Sequence, residues 1–138
     1  MPGLLRQASG ADRERVIEWM AGFQKENGDG PAEDTQAAAD RRIAAGKIWL
    51  WEKDEECVSM AAMTPAVEGV RRLNYVYTPP GQRRQGFAEA CVAGLTARLL
   101  DQGFRVTLYA GLENPISNSI YRRIGYRAVF DMMHFHFE

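Results

Sequence analysis

The sequence predicts a mixed α/β domain in which an antiparallel front precedes a strand–helix–strand unit. Two apolar runs, residues 48–52 and 57–63, flank a polar turn at residues 53–56 and predict a hairpin. After Gly86, apolar side chains recur every four residues and predict a long amphipathic helix. These side chains are Phe87, Cys91, Leu95 and Leu99. An apolar strand pattern at residues 71–78 precedes this helix and another at residues 106–110 follows it, which completes the unit.

The other predicted elements depend on caps, breakers and apolar faces. Ser9 or Asp12 can cap a first helix, Gly46 is a natural stop for a second, and Gly103 ends the long helix. Pro79 and Pro80 end the strand before the long helix, because proline cannot continue a ladder. The front of the chain is predicted to contain a strand over residues 4–8, then a helix whose apolar face is Val16, Ile17, Met20 and Phe23, then a helix over about residues 33–45. The end of the chain is predicted to contain a short helix over about residues 117–124 and one or two closing strands within residues 127–137.

Size and composition indicate one ordinary globular domain over residues 1–138. The chain is 46% hydrophobic and 25% charged, and its net charge of −1 argues against a general nucleic-acid binder. No apolar run approaches the length of a membrane span. Cys57 and Cys91 lie in apolar patterns without Cys-x-x-Cys spacing, so we expect reduced core residues in a cytoplasmic protein. The sequence leaves open whether the chain stands alone or is the C-terminal half of a longer protein.

The stretch from Val76 to Ala88 has the composition of an anion site. An apolar and aromatic run ends in a double proline, a loop with Arg83 and Arg84 follows, and a helix starts at Gly86. A helix start offers free backbone N–H groups and the positive end of the helix dipole, to which the arginines add cations. Gly86 lets a ligand approach the backbone because it has no Cβ. The loop alone fits a phosphorylated ligand and a solvated helix cap equally well.

Three motifs occur together in this part of the chain. They are Arg83-x-x-Gly86-x-Ala88, Val76-Tyr77-Thr78-Pro79-Pro80 directly before it, and Asn114-Pro115-x-Ser117-Asn118-x-x-Tyr121-x-x-x-Gly125-Tyr126 after it. Together they resemble the GCN5-related N-acetyltransferase (GNAT) superfamily, whose members move an acetyl group from acetyl-coenzyme A to an amine, and the first is similar to the family's pyrophosphate signature. From about residue 48 to residue 126 the chain looks most like the FR47-like subgroup. One departure is Arg84, which stands where many relatives have a glycine.

The resemblance implies a GNAT acyl-coenzyme A N-acyltransferase fold, with a central, mixed, mostly antiparallel twisted sheet of about six to seven strands and about four flanking helices. It also implies acetyl-coenzyme A as co-substrate and no metal. In the family, the strand before the loop splays from its neighbour, and its backbone pairs with pantetheine as an added strand would. Cofactor contacts are implied for Val76, Tyr77, Thr78, Arg83, Arg84, Gln85, Gly86, Phe87, Ala88, Asn114, Ser117, Asn118 and Tyr121.

Tyr121 is the catalytic residue that the resemblance implies, because the matching tyrosine in the family donates a proton to the departing coenzyme A thiolate. On a helical path, Asn114, Asn118 and Tyr121 share one narrow stripe, apart from a stripe of three isoleucines. We therefore expect Tyr121 to be something other than a core aromatic. The alternative is a tyrosine at an interface with a hydrogen-bonded hydroxyl.

The base that removes the amine proton is not evident in the sequence. The strand at residues 71–76 has no carboxylate, and Glu68 and Glu113 are more typical of surface charges. We expect water in this role, with Asn74 or Tyr75 shaping the acceptor side.

The acceptor is expected to be the primary amine of a small molecule or peptide, attacked directly in a ternary complex. No nucleic-acid or membrane partner is expected, and a homodimer could form through exposed strands of the C-terminal region. His134 and His136 with Asp131 are too few for a closed metal site, and their segment is more simply a strand.

Two functions of other classes compete with an acetyltransferase. A non-catalytic acyl-coenzyme A sensor or interaction domain would keep the loop and lose turnover. A P-loop nucleotide binder is disfavoured, because no Gly-Lys-Ser/Thr follows the loop.

Overall fold

A seven-stranded sheet organises the chain in the computed structural model, which describes residues 3–27, 34–109, 121–130 and 134–137. The strands are β1 Leu4–Gln7, β2 Ile48–Lys53, β3 Glu56–Met63, β4 Val70–Tyr77, β5 Arg105–Tyr109, β6 Tyr126–Phe130 and β7 His134–Phe137, in the spatial order β1-β2-β3-β4-β5-β7-β6. The helices are α1 Arg13–Asn27, α2 Thr35–Ala44 and α3 Phe87–Asp101, and residues 121–124 form a further helical turn.

The sheet is mixed and mostly antiparallel, which confirms the predicted fold class and strand number. β2 and β3 form the expected hairpin, and β6 and β7 are two closing strands. Among the described strands, β4 and β5 are the parallel pair, and α3 connects them. This is the predicted strand–helix–strand unit. Ligands in such units bind outside the carboxyl ends of the strands, and the loop to α3 begins at that end of β4.

Two apolar clusters lie on opposite faces of the sheet, because successive strand residues point to opposite sides. On one face, Leu50 and Met60 pack with α1 and α2. On the other face, Trp49 and Ala61 pack with α3. Both α1 and α3 contact β4, so this strand lies between a helix on each face of the sheet.

A partly buried ion-pair network fixes the start of α1. The Arg6 guanidinium donates to both carboxylate oxygens of Asp12, at 2.8 and 2.9 Å, and to Glu52 at 2.6 Å. Asp12 also accepts from the backbone N–H of Ser9 at 2.8 Å, in the capping box of a 3-10 turn over Gly10–Asp12 that leads directly into α1. The hydrogen bonds from Arg6 are the main cause that lowers the pKa of Asp12 to about 2. The two predicted caps therefore act together.

Left-handed glycines end the helices where the sequence predicts. Gly46, with φ of 69°, follows α2, and Gly103, with φ of 92°, follows α3. At the other end of α2, Asp34 Oδ1 accepts from the backbone N–H of Gln36 at 3.0 Å. These local features explain why the predicted boundaries lie close to the observed ones.

Both cysteines are buried free thiols, as expected for core residues. Burial raises the pKa of each thiol, to about 12 for Cys91, so neither is a thiolate at neutral pH. Within the described ranges, no helix has both the length and the apolarity to cross a membrane.

Candidate functional site

β4 and β5 separate near their carboxyl ends. Their pairing runs from Val70 with Arg105 to Leu73 with Leu108 and stops there. β5 continues to Tyr109, which pairs with β7, while β4 continues to Tyr77 and pairs there with β3. In the described part of the chain, the β5-facing edge of residues 74–77 therefore has no strand partner. An extended ligand can hydrogen-bond to such an edge as an added strand does.

A bulge redirects β4 where the two strands separate. Ala62 pairs with Asn74 and Met60 pairs with Tyr77, so Tyr75 and Val76 together oppose Ala61 of β3. Tyr75 adopts φ of 49°, a left-handed conformation that costs a non-glycine residue about 1 kcal/mol or more. A bulge bends its strand and strengthens the local twist, and this one lies just after the last residue of β4 that pairs with β5.

The side chains near the end of β4 are occupied by packing. The Tyr75 ring lies 5.1 Å from that of Phe23, and the Tyr77 ring lies 6.2 Å from that of Trp19, both on α1. Val76 packs in the opposite cluster, beneath α3. This arrangement leaves backbone groups, rather than side chains, at the open edge.

Asn74 is the polar side chain closest to the parting of the strands. It is half-buried, and its Oδ1 atom is buried without a hydrogen-bond partner among the described residues. Leu73 packs beneath α3, so strand alternation places Asn74 on the face of α1. An unpaired buried acceptor costs about 1–3 kcal/mol and calls for an explanation.

A hydrogen-bonded cluster fixes the chain as it leaves β4. The Ser59 and Thr78 hydroxyls share a hydrogen bond of 2.8 Å, and the Ser59 hydroxyl lies 3.1 Å from the Tyr77 carbonyl oxygen. Thr78 is buried, and its carbonyl oxygen accepts from Arg83 Nε at 2.8 Å. The loop therefore folds back on the strand end before α3 begins.

The two loop arginines differ in surroundings. Nη2 of Arg83 lies 2.8 and 2.6 Å from the two carboxylate oxygens of Glu26 on α1, and its guanidinium lies 5.6 Å from the centre of the Tyr77 ring. Arg84 is exposed and makes no ion pair within the described ranges. Arg84 has φ of 66°, so it keeps the conformation that the glycine of many relatives would adopt easily.

The start of α3 has the geometry of an anion site. Gly86, at φ of 82°, is the N-cap, and within the described ranges no side-chain hydrogen bond caps the helix. The first helical hydrogen bond runs from Ala90 N–H to Gly86 O, so the N–H groups before Ala90 lie outside the helical ladder. Phe87 is 3% exposed and anchors the turn in the core, which leaves its main chain for contact with a ligand. The Lys53 ammonium lies 5.5 Å from the centre of the Phe87 ring.

Tyr121 lies in the core, and the expectation that it is not a core aromatic is wrong. Its side chain is 8% exposed, and its ring lies 6.4 Å from that of Tyr126 in the cluster beneath α3. The ring of Tyr126 covers it there, while Ile124 stays only partly buried. Burial raises the pKa of the Tyr121 hydroxyl to about 12, so the hydroxyl is protonated and able to donate at neutral pH.

The remaining implied site residues divide into two groups. Gln85 is exposed and Ala88 is half-buried, both at the start of α3. Asn114, Ser117 and Asn118 lie outside the described residues. No group of three His, Cys, Asp or Glu side chains in the described part of the chain could hold a metal ion.

Two features of the site were missed in the sequence. Glu26 and Arg83 are 57 positions apart, and nothing in either local pattern pairs them. The bulge at Tyr75 interrupts a run that reads as a regular strand. A bulge signal would have been a glycine, which this strand lacks.

Comparison with known proteins points to one family. A family model described as the acetyltransferase (GNAT) family matches residues 13–126. No curated protein matches the chain at a significant level.

Solved structures share the fold at low sequence identity. A GNAT-family acetyltransferase from Staphylococcus aureus Mu50 has a TM-score of 0.75 and 14% identity, covering 94% of this chain and 87% of that one. The PaiA N-acetyltransferase from Thermoplasma acidophilum, solved with coenzyme A, has a TM-score of 0.70 and 15% identity, covering 99% and 97%. A ribosomal-protein-alanine N-acetyltransferase from Brucella melitensis has a TM-score of 0.76 and 16% identity, covering 96% of each chain. These likenesses concern the fold alone.

Proposed function

The chain belongs to the acetyltransferase (GNAT) family, and on that premise we propose that it transfers an acetyl group from acetyl-coenzyme A to a primary amine. The observation that carries this proposal is the parting of β4 from β5 after Leu73 and Leu108, beside a helix that starts at the left-handed Gly86. The open strand edge fits the pantetheine amides, and the helix start fits the pyrophosphate.

The cofactor runs along one continuous track. The backbone of residues 85–88 and the two loop arginines, Arg83 and Arg84, form the pyrophosphate end of this track, and the backbone of residues 76–78 pairs with pantetheine. The side chains of Thr78 and Phe87 are buried, so these residues contribute main chain only. Asn114, Ser117 and Asn118 belong to the proposed track on their motif alone.

The chemistry is direct transfer in a ternary complex. The amine nitrogen attacks the thioester carbonyl carbon, the carbon–sulfur bond breaks, and the amine proton leaves to water. Tyr121 donates its phenolic proton to the coenzyme A thiolate, and water returns a proton to the phenolate, which balances the proton released by the amine. Burial raises the pKa of this phenol, so at neutral pH the hydroxyl carries the proton that the thiolate needs.

Asn74 holds the acceptor amine or its relay water. Its unpaired Oδ1 is an acceptor at the parting of the strands, on the face of α1, and an amine or water proton would satisfy it. Tyr75 serves this role less well, because its ring packs on Phe23 and the Arg42 guanidinium lies 5.0 Å from the ring centre. The acceptor therefore approaches from the face of the sheet on which α1 packs, opposite the face on which α3 packs.

Several finer assignments complete the proposal. Motif spacing over residues 48–126 favours the FR47-like subgroup, and a single domain over residues 1–138 fits the one sheet. Two buried free cysteines favour a cytoplasmic location. The outermost position of β6 in the sheet favours a homodimer formed through the C-terminal strands.

The competing function is a non-catalytic acyl-coenzyme A sensor, which would use the same track without turnover. Two measurements on the same preparation separate the functions. Calorimetry gives the Kd for acetyl-coenzyme A, and a thiol assay follows coenzyme A release with a panel of small-molecule and peptide amines. We expect binding together with amine-dependent release. Binding without release by any amine would support the sensor, and absence of binding would overturn both.

A further inference from the structure

The loop before α3 carries two adjacent arginines with different local environments. Arg83 and Arg84 both precede the helix start at Gly86, and both are candidates by sequence for binding an anion there. The contacts of each side chain in the folded protein separate their roles.

Arg83 is already held by three groups. Its Nε donates to the Thr78 carbonyl oxygen at 2.8 Å, its Nη2 contacts both carboxylate oxygens of Glu26, and its guanidinium lies 5.6 Å from the centre of the Tyr77 ring. Together these contacts join α1, the end of β4 and the loop. A phosphate that captured this guanidinium would have to break the connection.

Glu26 also makes the surroundings of Arg83 unfavourable for an anion. Its carboxylate lies 2.6 Å from the guanidinium, so the pair is close to neutral and a phosphate beside it would meet a like charge. The two side chains are 41% and 44% exposed, so the pair adds little to the stability of the fold. The position of the pair matters more than its contribution to stability, because it connects α1 to the loop at the end of β4.

Arg84 has the opposite properties. It is exposed and makes no ion pair with the described residues, and it directly precedes Gln85 and the N-cap Gly86. Its backbone keeps a strained left-handed φ of 66° where glycine would be relaxed. A residue that retains strain next to an anion site is a candidate for function.

We propose that Arg84 supplies the guanidinium that binds the cofactor pyrophosphate, and that Arg83 with Glu26 is a positioning pair that holds the loop to α1. This inference rests on the proposed function, because it divides roles within the same cofactor site. It replaces the simpler view that both arginines contact phosphate.

The test is calorimetric titration with dephospho-coenzyme A, whose phosphates are those of the pyrophosphate alone. Titrations at low and at high salt compare the parent with Arg84→Gly, Arg83→Gln, Arg83→Lys and Glu26→Gln. Arg84→Gly suits the test because glycine accepts the backbone conformation at this position. Arg105→Gln is the charge-matched control: Arg105 is exposed and pairs with Val70, at the far end of the parallel pair.

We expect Arg84→Gly to weaken binding about tenfold at low salt and to flatten the salt dependence, because one charge-assisted contact is lost. Arg83→Gln should weaken binding about threefold to tenfold with the parental salt dependence, and Arg83→Lys should recover part of the loss. Glu26→Gln should weaken binding slightly with that same salt dependence. Melting temperatures of the Arg83 and Glu26 variants should shift by a few degrees at most.

Two results would overturn the assignment. One is that the Kd for dephospho-coenzyme A depends less on salt in Arg83→Gln than in the parent, while its salt dependence in Arg84→Gly equals that of the parent. The other is tighter binding in Glu26→Gln that disappears when Arg83→Gln is added, because Glu26 would then compete with phosphate for Arg83. Failure of the parent to bind acetyl-coenzyme A would instead contradict the proposed function, so the two failures are distinguishable.

Discussion

Leu73 and Leu108 form the last register pair between β4 and β5, and both lie in the core beneath α3. One residue further along β5, Tyr109 pairs with His134 of β7. The strands therefore separate directly above apolar side chains. A ligand between them would contact the backbone along the strand edge and apolar side chains beneath it. Hydrogen bonds are stronger in such apolar surroundings, which favours binding of an extended chain to the strand edge.

Tyr121→Phe tests the proposed general acid. Because the ring is buried against Tyr126, phenylalanine keeps the packing and removes only the hydroxyl. We expect an unchanged Kd for acetyl-coenzyme A and a fall in kcat of at least about tenfold, since the thiolate loses its proton donor. Calorimetry and steady-state kinetics measure the two quantities.

An unchanged kcat in Tyr121→Phe would remove the hydroxyl from the chemistry. The pH profile of the parent gives an independent check. The pKa of Tyr121 is raised to about 12, so the phenol stays protonated below that pH. Loss of kcat through deprotonation of this residue should therefore appear only close to pH 12.

Asn74→Ala tests the acceptor side. Removing a buried oxygen without a partner should leave the free energy of unfolding unchanged or raise it by about 1 kcal/mol. We expect kcat/KM for the amine to fall about tenfold while the Kd for acetyl-coenzyme A stays the same. Asn74→Asp, which keeps an oxygen acceptor, should retain more activity than Asn74→Ala. Unchanged kcat/KM in both variants would contradict the role.

Gly22→Ala and Gly94→Ala form a matched pair in α1 and α3. A Cβ at Gly22 would lie 2.6 Å from the Tyr77 hydroxyl oxygen, whereas a Cβ at Gly94 would lie 3.6 Å from its nearest neighbours, Leu5 and Trp51. Gly94→Ala should therefore gain about 0.5–1 kcal/mol of stability from helix propensity. In Gly22→Ala, Tyr77 must move, so the gain should vanish and the Kd for coenzyme A should rise. Equal gains in urea unfolding, with equal Kd values, would show that Tyr77 does not position β4.

The stability of the fold in acid should depend on Asp12. Its pKa is lowered from 3.8 to about 2, chiefly by hydrogen bonds from Arg6. A carboxyl with a lowered folded-state pKa contributes stability above its unfolded pKa, and that contribution is lost as pH falls from about 4 towards 2. Asp12→Asn should lower the free energy of unfolding by roughly 2 kcal/mol at neutral pH and weaken this acid dependence.

Asp40→Asn is the control for this measurement. Asp40 also pairs with an arginine, Arg13, but in an exposed position, so its removal should change stability little. Urea unfolding across the acid range measures both variants. If Asp12→Asn and Asp40→Asn lowered the free energy of unfolding equally, burial would not explain why the ion pair of Asp12 is stabilising.

Local patterns predicted the elements of the fold well. The four-residue spacing from Phe87 to Leu99 corresponds to α3, and Gly46 and Gly103 end helices in left-handed conformations. The apolar runs at residues 48–52 and 57–63, on either side of a polar turn, predicted the hairpin of β2 and β3. These features depend on neighbours within a few positions, which is the range over which a single sequence carries information.

The site was less predictable because it depends on distant contacts. The pairing of Glu26 with Arg83 requires α1 to lie beside the end of β4, and no local pattern encodes that. Tyr121 was misjudged because the position of Tyr126 in the fold, rather than helical periodicity, decides which face of its turn is buried. The bulge at Tyr75 likewise results from sheet pairing rather than from its own side chain.

The most direct test of the central claim, that the cofactor occupies the parting of β4 and β5, is amide hydrogen exchange with and without saturating acetyl-coenzyme A. We predict slower exchange at residues 74–78, where pantetheine adds to the strand, and at residues 84–88, where the pyrophosphate contacts the start of α3. Residues 48–51 of β2 serve as an internal reference, because β3 separates this strand from β4. Unchanged exchange in both segments while acetyl-coenzyme A is bound, with slowing elsewhere, would contradict the claim.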